Sequence, residues 1–253
     1  MPLPFRLPLL AFPLLSALAQ PAAALDLTAM TDQEAAAFGV AVRAYLMENP
    51  EVLIEVISVL ETREATAAAQ MDLDLVAQYQ AEVFDDGHSW VGGNPDGDIT
   101  LVEFMDYRCG YCRRAFEEVE TLLSADGNIR FIVKEYPILG PQSEMSSRFA
   151  IAVHQLHGDQ AYEDIHNALM TLESDITPET LTALAEGFGL DPAPILTRMP
   201  AAEVSAVLDA NQALGAAMQI TGTPTFILND RMVRGYVPVA QMQAMVADLR
   251  SDP

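Results

Sequence analysis

The chain has 253 residues, 51% of them apolar, with 13 Lys and Arg against 36 Asp and Glu, for a formal charge of −23. That length suits one large domain or a domain with an appendage, and the apolar fraction excludes an intrinsically disordered protein. The acidic excess argues against nucleic acid or anionic lipid as a partner, because both are bound by surplus Lys and Arg.

The first two dozen residues carry one charge, Arg6, followed by an apolar run over 7–18 and then Pro21-Ala22-Ala23-Ala24. This is the pattern of a secretory signal peptide cut after Ala24. The run is well short of the ~20 apolar residues of a spanning helix. The expectation is an exported protein in a compartment where disulfides form.

Residues 31–83 read as helical. A first helix starts at Thr31 or Asp32 and runs to Met47, with Phe38, Val42, Tyr45 and Leu46 on one face. Asn49-Pro50 interrupts it, and Pro50 suits the first position of a new helix. The second helix, 51–61, is apolar around most of its circumference and leaves only a narrow stripe of Glu51, Glu55 and Ser58. Such a helix must be buried on several sides, either in a domain core or against copies of itself. An Ala- and Gln-rich helical stretch, 62–84, joins it to the remainder, so the helical arm is expected to span 25–86.

Turn chemistry follows at 92–97, then a strand over 99–105, a helix from Cys109 and a strand over 128–134. Residues 142–219 hold no convincing strand and several helices, with starts marked by Thr177-Pro178 and Asp191-Pro192. A hairpin (225–228, a turn at Asn229-Asp230, 231–236) and a last helix from about Pro238 to Leu249 complete the chain. The pattern is a βαβ half and a ββα half with a helical block inserted between them.

The only two cysteines, Cys109 and Cys112, sit three residues apart at a strand-to-helix junction. A disulfide closing so short a loop constrains the unfolded chain little, so a structural staple is a poor explanation. A cysteine in the first turn of a helix faces unpaired N–H groups and the positive end of the dipole, which favour thiolate over thiol. Cys109 is therefore the expected nucleophile. Cys112, one turn on, is the expected resolving thiol. Gly110 and Tyr111 between them set the thiolate's environment. Arg108, Arg113 and Arg114 add nearby positive charge or are ordinary solvated side chains. A zinc site needs two further ligands. His154, His157 and His166 in the helical block, or Met242 and Met245, are the rival metal-binding sets, though methionines so spaced on an amphipathic helix also suit core packing. Thr223-Pro224 precedes a strand, where a proline belongs at the strand start or a bulge.

Three segments together carry a resemblance: Glu103-Phe-Met-Asp-Tyr-Arg-Cys109-Gly-Tyr-Cys112, Val133-Lys134-Glu-Tyr-Pro137-Ile-Leu-Gly140, and Gly222-Thr-Pro224-Thr-Phe226. They resemble the DsbA family of bacterial thiol-disulfide oxidoreductases over roughly residues 88–250. The resemblance implies an α/β thioredoxin fold with an inserted helical domain at about 142–219, here within a domain of 87–253 and preceded by the arm. It implies Cys109 as nucleophile, Cys112 as its partner, a cis-Pro224 beside them, and Thr223 offering its backbone to the substrate. It also implies that Glu103 and Lys134 form a charged pair beneath the active site. Residues 45–55 look like the leading arm of the subgroup that includes the suppressor of copper sensitivity protein C, in which the arm can join subunits and isomerase activity can accompany it. The Gly-Tyr dipeptide departs from the Pro-His of strong oxidases and implies milder oxidising power.

The expected function is thus a periplasmic thiol-disulfide oxidoreductase that forms or isomerises disulfides in other exported proteins. It needs no dissolved cofactor, because the cysteine pair carries the two electrons. A redox partner must reset the pair, and a homo-oligomer built through the arm is expected. The rival is an exported copper- or metal-handling protein that uses the cysteines as ligands.

Overall fold

The structure is a computed structural model that describes residues 29–251, so the expected signal peptide lies outside the described residues. The described residues divide into two compact units, the first ending at Leu60 and the second beginning at Glu61. In the first, α1 (Asp32–Glu48) opens on Thr31, whose hydroxyl accepts from Glu34 N while the Glu34 carboxylate accepts from Thr31 N. This reciprocal cap satisfies two backbone donors that a helix start leaves open. Asn49 ends α1, and α2 (Glu51–Gln78) begins just after Pro50. No residue of α1 is buried, and Phe38, Val40, Val42, Tyr45 and Met47 are exposed. Within the same unit, Leu53, Ile54, Val56, Ile57, Val59 and Leu60 of α2 are exposed as well.

The second unit contains the end of α2, then α3 (Gln80–Phe84), β1 (Trp90–Gly93), β2 (Ile99–Met105), α4 (Gly110–Asp126) and β3 (Ile129–Glu135). The inserted helices are α5 (Pro141–His157), α6 (Asp159–Thr171), α7 (Pro178–Gly187), α8 (Pro192–Arg198) and α9 (Ala202–Ala217). The strands β4 (Thr225–Leu228) and β5 (Arg231–Arg234) and the helix α10 (Val239–Ser251) follow. The sheet order is β1-β3-β2-β4-β5, with β2 and β3 parallel and the other pairings antiparallel. This is the thioredoxin fold with a helical insertion that the resemblance implies.

β1 is a strand where the sequence suggests only a turn from Gly92 onward. Its pairing with β3 begins at Trp90, which packs edge-on to Phe131 and donates from Nε1 to Asp159 O at 3.1 Å. That tertiary pairing overrides the weak strand preference of the two glycines.

Side chains alternate between the faces of the sheet. On one face Leu101, Met105, Phe131, Val133 and Phe226 join the cysteines and Ala115, Val119 and Leu122 of α4. On the other, Val102, Phe104, Ile132, Tyr136 and Ile227 meet Val76, Val83, Leu214 and Met218. The boundary expected near residue 86 thus falls inside the second unit, because Val76 and Val83 are part of its core. Gly215 of α9 lies against the Tyr136 ring so closely that an added Cβ would come within 2.4 Å of it.

Candidate active site

The Cys-Gly-Tyr-Cys motif stands where β2 passes into α4. The four-residue turn between them is closed by Cys109 N donating to Asp106 O at 3.0 Å. The Asp106 carboxylate fixes the turn from outside, accepting from Arg108 N (2.8 Å), Ile138 N (2.8 Å) and Leu139 N (3.0 Å). Cys109 is the N-cap of α4, with φ −77° and ψ 115°, and has no side-chain capping bond. Both cysteines are free thiols.

Their environments differ. Cys109 retains 7% exposure and its thiol is lowered to about 5, chiefly by the Cys112 side chain, against the cost of burial, with Thr223 and the backbone of Cys112 and Tyr111 adding to the effect. The helix-start donors anticipated from the sequence are thus part of the cause, and the neighbouring thiol is the larger part. Cys112 is fully buried, and burial, then Cys109, then the Glu103 charge push its thiol far above the ordinary range. One sulfur is a thiolate at neutral pH and its neighbour a thiol.

Thr223 and Pro224 lie beside this pair. The peptide bond between them is cis, and Cys109 Sγ lies 3.2 Å from Thr223 O, to which it donates only when protonated. Tyr111 is 64% exposed on the rim, next to exposed Gly110. Arg108 and Arg113 are engaged in the fold. Arg108 donates to Ser174 O (3.2 Å), and Arg113 caps the end of α6 through Met170 O (2.7 Å) and Leu172 O. Arg114 stacks 4.4 Å above the Tyr236 ring.

Glu103 and Lys134 do not form the expected pair. In the parallel register Glu103 lies opposite Val133, and Lys134 opposite Phe104, so the two charges point to opposite faces of the sheet. Glu103 shares the cysteines' face. It is 2% exposed, its Oε1 makes no hydrogen bond, and burial followed by the Cys109 charge raises it to about 8. Lys134 Nζ donates on the far face to Glu82 O (2.7 Å) and to Asp86. Asp86 also accepts from His88 N, Ser89 N and the Ser89 hydroxyl. The resemblance supplied residue types, while the strand parity that separates them is visible only once the register is known.

The rival ligand sets do not converge. His154 pairs with Asp159 at 2.7 Å, and His166 is buried against Tyr107 and Tyr162. Met242 is a core residue. Among the described residues no group of three or more His, Cys, Asp and Glu side chains is placed to hold a metal ion. Sequence reasoning missed Asp106, Asp86 and the buried Glu135. Asp106, three residues before Cys109, was within reach as a turn-forming residue.

The chain is similar to known proteins. Residues 100–247 match the DSBA-like thioredoxin domain, and residues 34–67 match the copper resistance protein ScsC N-terminal domain. The structure is similar to a thioredoxin-like oxidoreductase from Silicibacter pomeroyi, with 38% identity, a TM-score of 0.64, and 68% of this chain and 98% of that one covered. It is also similar to BcfH of Salmonella enterica Typhimurium, with 28% identity, a TM-score of 0.70, and 84% and 94% covered. Among curated relatives, Na(+)/H(+) antiporter NhaA 1 of Salinispora arenicola is 30% identical over 160 residues, which are 62% of this chain and 24% of that protein. The chain thus spans about a quarter of the length of such relatives. The matched segment runs from β2 into α10 and takes in both cysteines and the cis-proline, and the chain belongs to the DSBA-like thioredoxin domain family.

Proposed function

We propose that the protein is an exported thiol-disulfide exchange enzyme that forms or isomerises disulfides in other exported proteins. The observation that carries this reading is the asymmetry of the pair, with a Cys109 thiolate that keeps 7% exposure beside the cis-proline and a fully buried Cys112 thiol. Cys109 Sγ⁻ attacks one sulfur of a substrate disulfide, forming a mixed disulfide and releasing the other sulfur as a thiolate. Cys112 then gives up its proton and attacks Cys109 Sγ. The products are the disulfide between Cys109 and Cys112 and a reduced substrate. The reverse sequence oxidises a substrate dithiol. In isomerisation the released substrate thiolate attacks elsewhere, and Cys109 is freed without net redox change. In the mixed disulfide the Cys109 charge that helps to keep Glu103 protonated is gone, and the ionised Glu103 carboxylate, buried on the same face, takes the Cys112 proton. A second redox protein resets the pair.

The arm supports an oligomer. Among the described residues of the first unit, eleven large apolar side chains are exposed and form a surface that soluble monomers rarely present, and the match to the ScsC N-terminal domain falls on the same segment. A second copy of the chain is the occupant this reading assigns. Several Cys109 nucleophiles facing one misfolded substrate act at high effective concentration, which favours isomerisation.

The test is reactivation of a scrambled-disulfide protein by the chain from Leu25, by the same chain with Cys109→Ser, and by a version starting at Glu61. The reading expects reactivation by the first, none by the second, and a strong reduction in the third. Activity retained by Cys109→Ser would refute it. Rapid oxidation of a reduced substrate without reactivation would make the enzyme an oxidase.

A further inference from the structure

Glu135 closes β3 on the cysteines' face of the sheet and takes no part in the exchange steps above. It is 3% exposed, and among the described residues no Lys or Arg pairs with it. Three hydroxyls converge on its carboxylate instead. Tyr107 and Tyr162 each donate to Oε1 at 2.7 Å, and Ser147 donates to Oε2 at 2.6 Å. A hydroxyl has one proton to give. With the Tyr107 proton committed to Glu135, its 3.1 Å contact with His166 Nδ1 runs the other way, from Nδ1–H to the tyrosine oxygen. His166 can supply that proton as a neutral ring, since burial lowers it to about 3. Every proton in the cluster therefore points towards the ionised carboxylate; burial raises Glu135 to about 7, and once protonated at Oε2 it donates to the Ser147 oxygen while Oε1 still accepts from both tyrosines.

The donors come from three places in the fold: α5 (Ser147), α6 (Tyr162) and the turn that carries the redox pair (Tyr107). Only Tyr107 belongs to the turn. It is the second of its four residues, two before Cys109, and is itself 1% exposed. The Asp106 carboxylate holds the first residue of the turn and the Tyr107 hydroxyl holds the second. Between them they fix where Cys109 stands relative to the backbone of Tyr111 and Cys112 and to Thr223.

We propose that Glu135 is a positioning residue for the redox pair: through the Tyr107 hydroxyl it locks the 106–109 turn and so holds Cys109 against the groups that stabilise its thiolate. This role rests on the exchange reading above. A carboxylate that served only to tie β3 to the inserted helices would depend equally on Tyr107 and Tyr162, since each gives it one hydrogen bond of the same length. Positioning makes the two unequal.

The experiment follows Cys109 alkylation against pH in the reduced full chain and in three variants. Tyr107→Phe keeps the buried ring but cuts the link to the turn. The Cys109 midpoint should rise by about half a unit or more, which is about threefold slower alkylation at pH 4. Tyr162→Phe removes a matching bond from the same oxygen and should leave the midpoint in place. Glu135→Gln can keep its oxygen towards both tyrosines while its amide donates to the Ser147 oxygen, so it too should hold the wild-type midpoint. A Tyr107→Phe profile that overlays the wild type, or a Tyr162→Phe shift as large as that of Tyr107→Phe, would overturn the positioning role and leave the exchange reading intact. A wild-type midpoint in the ordinary thiol range would instead remove the exchange reading, and this role with it. Should Tyr107→Phe fail to fold, Glu135→Leu, which takes the acceptor away from the Tyr107 hydroxyl, carries the comparison with Tyr162→Phe: its Cys109 midpoint should rise by about half a unit or more. A Glu135→Leu midpoint at the wild-type value, or one shifted no further than that of Tyr162→Phe, would overturn the role.

Discussion

The Cys109 thiol is lowered by contacts that can be removed one at a time. The largest is the Cys112 side chain. Cys112→Ala should therefore raise the Cys109 midpoint by about one unit, read from the pH dependence of alkylation in the single-cysteine chain. Glu103 shows the opposite sign. Its folded pKa of about 8 lies above the ordinary 4.5. The stability of its neutral form is therefore complete below pH 4.5 and is lost as pH rises through 8. Glu103→Gln should match the wild type at about pH 4.5 and exceed it by about 4–5 kcal/mol at about pH 9 in denaturant unfolding of the reduced protein. A wild-type advantage at the alkaline end would contradict this account of Glu103.

Elements place these residues, and here the sequence was uneven as a guide. The motif at the strand-to-helix junction was legible because Cys109, Cys112 and Pro224 act through local geometry and short spacings. β2, β3 and the hairpin were legible from their apolar runs, and α7 and α8 from Thr177-Pro178 and Asp191-Pro192. β1 was not, because Gly92 and Gly93 read as a turn until β3 pairs with them. The partner of Lys134 was not legible either, since Asp86 lies 48 residues away along the chain. Glu135 gives no signal along the chain, because its partners come from a turn and two helices. The ion pair on the far face can be tested directly. Asp86→Asn leaves the Lys134 ammonium buried without a counter-charge, and should cost about 3–5 kcal/mol in urea unfolding. Lys134→Met leaves Asp86 with its bonds from His88 and Ser89 and should cost less. Gly215→Ala would drive a methyl into the Tyr136 ring and should destabilise by about 1–3 kcal/mol.

At the scale of the molecule, the apolar residues of the arm and the acidic surplus act in opposite senses. Charge works to keep copies of the chain apart, and in the proposed oligomer the exposed faces of α1 and early α2 bring them together. Sedimentation of the chain from Leu25 should give an oligomer, and of the chain from Glu61 a monomer. That second cut retains Val76 and Val83 in the core, whereas a cut at Asp86 would remove them. In the proposed function, assembly raises the efficiency of isomerisation, while the exchange step itself depends on the contrast between two sulfurs. The most direct measurement is the rate of alkylation of each cysteine in the reduced, folded chain between about pH 4 and 9, resolved by peptide mass. The account predicts that Cys109 is modified with a midpoint near pH 5, while Cys112 stays unmodified until the protein unfolds. Equal rates at the two cysteines, or a Cys109 that stays silent below about pH 8, would contradict it.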